Sequence, residues 1–177
     1  GKRLANDVPC WQTPKLGSSI THAYGKPDDV TMCEIFGARG QNLTYPEMKW
    51  WADAMHVAGV NFLIPHSFNP RAPRDTDCPP YFYNGGFEPR WPLYRGFADY
   101  TSRLSVMLTG GRHVAPVALL FLGGSAHVGK RVTPEQMSES LQDALYDCDW
   151  LPYEVFENDM TVAGQELKLR QEAYRVL

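Results

Sequence analysis

Apolar and polar positions change their period several times along the chain, and each change marks an element. Leu16 to Tyr24 (LGSSITHAY) reads as a short strand that ends in polar and aromatic residues, and Val30 to Phe36 (VTMCEIF) as a second, closed by Gly37. Thr44-Tyr45-Pro46-Glu47 has the form of a capping box with proline in the first turn. There the threonine hydroxyl and the glutamate carboxylate occupy amides that a helix start leaves open. Met48, Trp51, Ala52, Met55 and Ala58 then recur at helical spacing, and Gly59 supplies the stop. Val60 to Pro65 (VNFLIP) is a continuous apolar run of the buried-strand type. Ser67 to Arg90 has no periodicity and carries five prolines and the turn Asn84-Gly85-Gly86. Loops of that length are functional or disordered more often than not. Leu93, Phe97, Tyr100, Leu104 and the pair Met107 and Leu108 predict a helix from about Pro92 to Leu108, ended by Gly110-Gly111.

A second segment begins at Val114. VAPVALLFL predicts a buried strand followed by a Gly-Gly-Ser turn. Thr133-Pro134-Glu135 opens a helix with Met137, Leu141, Leu145 and Cys148 on its core face. Tyr153 to Phe156 reads as a strand, with further strands at Met160 to Val162 and Tyr174 to Leu177. This β-loop-α-β order is half of an open, doubly wound sheet. Alternation in both segments predicts an α/β fold. The first segment has too few units to close a barrel, which takes eight strands in about 250 residues. It is therefore the tail of a barrel or a small open sheet. The chain starts at Gly1 and stops inside a strand-like pattern, Ala173 to Leu177, so a piece of a longer polypeptide is expected.

Composition narrows the function classes. The 177 residues carry a formal charge of −3, which argues against a nucleic-acid or anionic-membrane partner. Five Trp, nine Tyr and eight Phe exclude a disordered chain. Those rings, with 14 Pro and 15 Gly, fit loops that line a carbohydrate cleft, although a large buried core has a similar composition. The apolar run from Val114 to Leu122 is far short of the roughly 20 residues that span a bilayer. Cys10, Cys33, Cys78 and Cys148 are scattered without metal-ligand spacing, which argues against structural zinc. Cys33 and Cys148 read as small core residues.

In α/β folds ligands meet the C-terminal ends of strands. The first predicted strand ends in His22 and Tyr24, the second carries Glu34, and the third runs into His66-Ser67-Phe68-Asn69. Glu34 lies in an otherwise apolar strand, and a buried carboxylate is costly unless paired or used. It is a candidate general acid, base or nucleophile. The plainer readings are a partner of Arg39 or a solvent-facing edge residue. His22 and His66 taken singly are core or loop histidines; flanking Glu34 as a pair, they suit contacts to hydroxyl groups. His56 faces out between helix positions, His113 follows a Gly-Gly cap, and His127 reads as a surface residue in the loop after the Val114 strand. Tyr81, Phe82, Tyr83, Phe87 and Trp91 can stack on sugar faces or pin their own loop. Asp75 and Asp77 sit beside Arg71 and Arg74 as solvated pairs, and Gly123-Gly124-Ser125 lacks the surrounding pattern of a phosphate loop.

Read together, these stretches resemble the alpha-L-rhamnosidase family of glycoside hydrolases. Ser18 to Lys26 (SSITHAYGK) is similar to the family's SSxxHxYGK stretch, Cys33 to Gly37 to its Glu followed by a Phe-Gly-like turn, and Gly59 to Phe68 to its GVNxxxxHxF strand. Val114 to Leu122 is similar to the strand opening a flavodoxin-like domain shared with beta-galactosidases of the same barrel clan, although Phe121-Leu122-Gly123 departs from the usual proline. The resemblance implies the C-terminal part of a (β/α)8 barrel over residues 1–111, followed by the start of a flavodoxin-like domain over 112–177. It implies that Glu34 is the general base of an inverting hydrolysis, with the acid upstream of Gly1. It further implies that His22, Tyr24, His66, Asn69 and Tyr81 hold the sugar. Calcium is often needed in the family, but its ligands are not identifiable in this sequence. The expected substrate is a terminal alpha-L-rhamnosyl linkage in plant or microbial polysaccharide, met in the periplasm or outside the cell. The expected partner is the rest of the parent chain, without which this piece is expected to be inactive. Two rivals stand beside this reading: a retaining beta-galactosidase-like hydrolase with Glu34 as nucleophile, and a non-catalytic carbohydrate-binding α/β module in which Glu34 is merely paired.

Overall fold

Helices and strands alternate along most of the computed structural model, which describes residues 12–69, 79–121, 129, 132 and 134–177. The chain is α/β, as the alternation predicts. It forms two units, one made of Gly1–Val30 with Gly110–Leu177 and the other of Thr31–Thr109.

The first unit opens with α1 (Gln12–Tyr24), where a strand is expected from the sequence. The reason lies in what the helix buries. Lys15, Ser18, Ser19, His22 and Ala23 follow helical spacing on its inward face, and four of these five are polar. A search for apolar periodicity is blind to such a stripe. The serines are tolerated there because their hydroxyls donate to the Lys15 carbonyl, at 3.0 Å from Ser18 and 2.8 Å from Ser19. Ser19 Oγ also accepts from the Trp150 amide at 2.9 Å.

In this unit β3 (Val117–Phe121) pairs in parallel with β4 (Cys148–Pro152), linked through α4 (Pro134–Asp143). The predicted helix ends early: Leu145 takes a left-handed φ of 61° and is 92% exposed, and Cys148 begins a strand instead. Tyr153 to Phe156, expected as a strand, lies within α5 (Tyr153–Asn158), launched from the extended Pro152. The chain continues as an antiparallel meander of β5 (Thr161–Ala163), β6 (Glu166–Leu169) and β7 (Glu172–Tyr174). One apolar cluster joins Ala23, Ala118, Leu151, Val155, Leu169 and Tyr174, and a second joins Val117, Leu119, Cys148 and Trp150. Cys148 is thus a core residue, whereas Cys33 is only half-buried.

The second unit contains β1 (Met32–Ile35), α2 (Tyr45–Val57), β2 (Phe62–Pro65) and α3 (Tyr94–Met107). The capping box is formed: Thr44 Oγ1 accepts from the Glu47 amide, and the Glu47 carboxylate accepts from the Thr44 amide at 2.8 Å. Met48, Ala52 and Met55 form the buried face of α2, as their spacing predicts. His56, expected to face out, joins them at 7% exposed, because its Nδ1 bonds the Val60 carbonyl at 2.8 Å just past the helix end. β1 and β2 pair in parallel, Met32 with Phe62 through Ile35 with Pro65. Since side chains alternate across a strand, one face of the pair carries Met32, Glu34, Phe62 and Ile64. All four are exposed. Much of the core lies beyond the strands, where Phe36, Phe82, Tyr94 and Phe97 are buried and stack edge to face or tilted at 5.3–5.9 Å.

Candidate functional site

Glu34 and His66 come together at the C-terminal ends of β1 and β2. His66 directly follows β2, and its amide donates to the Ile35 carbonyl at 2.8 Å, extending the ladder by one bond. Between the two side chains runs the turn Phe36-Gly37-Ala38-Arg39, closed by the Arg39 amide on the Phe36 carbonyl at 3.1 Å. Phe36 and Ala38 both have positive φ, 80° and 60°, a conformation uncommon outside glycine. A Cβ placed on Gly37 would lie 3.5 Å from Glu34 Oε1 and 3.9 Å from His66 Cγ. The carboxylate and the imidazole therefore flank the same bare stretch of backbone. Glu34 is exposed on the open sheet face, where burial in an apolar strand is expected from its neighbours.

Residues 80–82 return to the chain just beyond β2. The Ser67 amide donates to the Pro80 carbonyl, and the Phe82 amide to the Ser67 carbonyl, both at 2.9 Å. Gln41 clasps Tyr81 with its side-chain amide, accepting from the Tyr81 amide at 2.9 Å and donating to its carbonyl at 3.1 Å. The same Gln41 amide donates to Glu88, which is buried and held by Arg90 Nε at 2.6 Å. The Arg90 pairing keeps the Glu88 carboxyl below its ordinary range, against burial, which acts to raise it. Tyr81 and Asn69 are half-buried, and Phe68 and Trp91 are exposed rings in contact at 5.8 Å. The stretch 70–78, with Asp75 and Asp77, lies outside the described residues, as do Gly123-Gly124-Ser125 and His127.

His22 and Tyr24 belong to the other unit and have partners of their own. Tyr24 donates to Glu154 Oε1 at 2.6 Å. His22, buried on the last turn of α1, places Nδ1 2.8 Å from Asp149 Oδ1 and Nε2 3.2 Å from Asp29 Oδ2. Its ring stacks on His113, with centroids 4.1 Å apart. His113 in turn meets Asp147 at 2.9 Å, and Asp149 and Glu172 at 3.3 Å each. Tyr174 donates to Asp149 Oδ2 at 2.9 Å, and Lys15 pairs with Asp147 at 2.6 Å. Burial acts to lower the His113 pKa, but hydrogen bonds to three carboxylates push it up to about 11. Burial likewise acts to raise Asp149, and the two imidazoles hold it well below the usual carboxylate range. Neither His113 nor Asp149 stands out in the sequence reading. Asp149 carries the signal that singles out Glu34, a carboxylate inside an apolar strand, and here the strand is buried.

Among the described residues, His22, His113 and Asp149 are a group whose ligand atoms lie within 4.8 Å of one another. They do not suit calcium, which takes six to eight oxygen ligands. Nor do they suit a tetrahedral metal: stacked rings direct their in-plane lone pairs side by side, and carboxylates already occupy the nitrogens. The arrangement is a buried ion-pair network that ties α1, β4 and β7 together. A cavity of about 250 Å³ opens beside it, lined by Lys26, Asp28, Arg170 and Gln171 among others, with charges of both signs.

No family model and no curated protein matches the sequence. The structure is similar to that of a rhamnosidase from Novosphingobium sp. PP1Y, with a TM-score of 0.70 at 18% identity. The similarity covers 99% of this chain and 17% of that one. The chain therefore has a fold distantly like one part of a rhamnosidase, and it spans about a sixth of that protein's length.

Proposed function

We propose that this chain is part of a glycoside hydrolase and supplies the catalytic base of an inverting reaction on a terminal alpha-L-rhamnosyl linkage. The observation that carries the reading is the placement of Glu34 and His66 on either side of Gly37, at the C-terminal ends of two parallel strands. That is the end at which α/β enzymes hold their chemistry. The fold likeness to a rhamnosidase supports the substrate class. In this reading β1 and β2 are late strands of a (β/α)8 barrel, and the exposed Met32, Phe62 and Ile64 face earlier strands of a longer polypeptide. The residues from 112 onward begin a flavodoxin-like domain, and the enzyme works outside the cytoplasm on polysaccharide or glycoside.

The step balances with two carboxyl groups. Glu34 takes a proton from water while the water oxygen bonds to the anomeric carbon. The glycosidic C–O bond breaks on the opposite face, and its oxygen takes a proton from a carboxylic acid elsewhere in the polypeptide. His66, with Asn69 and Tyr81 from the loop above, holds sugar hydroxyls. His22 and Tyr24, engaged with Asp149 and Glu154, hold the helix that leads into β1. Calcium is assigned no role in this step.

Glu34→Gln in the longer polypeptide, assayed on an aryl alpha-L-rhamnoside, should lower kcat by about 10²–10⁴-fold, the usual contribution of general acid–base catalysis. Activity within twofold of the parent overturns the assignment.

A further inference from the structure

On the reading that Glu34 is the base, we infer that Gly37 is a positioning residue whose missing side chain keeps open the place of the attacking water. A base must stand within hydrogen-bond reach of the proton it removes, so an accessible water-sized space against the carboxylate is required. Gly37 is exposed and carries no side chain beside the carboxylate. A methyl group there would stand 3.5 Å from Glu34 Oε1 and 3.9 Å from the His66 ring, in ordinary contact with both and in clash with neither. It would fit the fold and fill the gap between base and imidazole. Gly37 itself does not need glycine for its backbone: positive φ falls on Phe36 and Ala38, on either side of it. The residue is exposed, so no packing against its Cα demands a bare position. What remains is access. A water over Gly37 can donate to Glu34 Oε1 with the His66 ring beside it, which leaves a lone pair on the water oxygen to attack the sugar.

The test is Gly37→Ala in the longer polypeptide. Displacing or tilting the water by about 1 Å should cost about 100-fold in kcat. KM should stay within about threefold, and the melting temperature within about 2 °C. A kcat within threefold of the parent overturns the inference. If Glu34→Gln is inactive while Gly37→Ala is active, the water lies elsewhere and Glu34 stands as the base. If Glu34→Gln is itself active, the functional reading falls with it. Should the alanine variant melt early, a high-resolution crystal structure of the unsubstituted protein decides. An ordered water within 3.2 Å of Glu34 Oε1 above Gly37 supports the inference, and an empty space there overturns it.

Discussion

His22 and His113 lie face to face, ring centroids 4.1 Å apart and planes 18° apart, with Asp149 reaching both through its two oxygens. The contact is stable because Asp29, Asp147, Asp149 and Glu172 surround the pair. Asp149 is the fully buried member and the one that bonds both rings. Tyr174 donates to it as well, and burial together with the charge of Asp149 holds that phenol above its ordinary range.

Replacing Asp149 with Asn removes the charge and leaves one acceptor oxygen for two imidazoles and a phenol. Breaking a buried ion pair from one side costs about 3–5 kcal/mol. For a chain of this size that corresponds to a fall of about 6–20 °C in melting temperature. Thermal melts followed by circular dichroism would show it, and a change below 2 °C would count against the network as a structural tie.

The same network sets a pH dependence. His113 holds its proton up to about pH 11 in the folded chain and releases it near 6.5 when unfolded. Its stabilisation is therefore complete below about pH 6.5 and is lost as pH rises toward 11, at most about 1.4 kcal/mol per pH unit. Asp147 and Asp149 are shifted the other way, below their ordinary range. Their contribution is present above about pH 3.9 and disappears as acid protonates them. The melting temperature should be highest between about pH 4 and 6.5 and fall steadily toward pH 9. His113→Gln should flatten the alkaline decline. An unchanged slope in that variant would place the titrating group elsewhere.

Much of the second unit is legible in the sequence because its signals are local or periodic: the Thr44–Glu47 box, the Met48–Ala52–Met55 stripe, and the strand that runs into His66. The first unit is harder to read for a physical reason. Its helix α1 buries Lys15, Ser18, Ser19 and His22, and their inward direction is set by Asp147, Trp150 and Asp149 more than 120 residues away in sequence. No local period reveals partners at that separation. His113 looks like an ordinary residue after a glycine pair, because its partners Asp147, Asp149 and Glu172 lie on later strands and turns, 34 to 59 residues on. Glu34 is singled out by its apolar neighbours, yet it shares the exposed sheet face with Met32 while Ile35 points to the buried one, since strand alternation alone does not say which face is covered.

Thr44→Ala tests the helix that packs behind β1. It removes the hydroxyl that accepts from the Glu47 amide while leaving Pro46 and the helical face intact. Loss of such a cap costs about 1 kcal/mol. Denaturant melts should show a lower midpoint with an unchanged slope. A loss above about 3 kcal/mol would mean that Thr44 does more than cap.

Gln41 tests the clasp on the loop above Glu34. Its amide meets both backbone groups of Tyr81 and one oxygen of Glu88, so it acts like a piece of strand supplied by a side chain. Gln41→Ala should cost about 1 kcal/mol, because water replaces part of what is lost at a half-exposed site. The loosening should be local: the Tyr81 amide should exchange with solvent about tenfold faster, while amides in the core of α2 stay unchanged. Gln41→Glu separates the clasp from simple packing. It keeps the length of the side chain but sets a second carboxylate against Glu88, whose charge Arg90 otherwise balances. Near neutral pH that variant should be less stable than Gln41→Ala, and it should recover as pH falls through the carboxylate range, where one of the two acids takes up a proton. If the glutamate and alanine variants respond alike to pH, Gln41 does not face Glu88 in solution, and the clasp rests on Tyr81 alone.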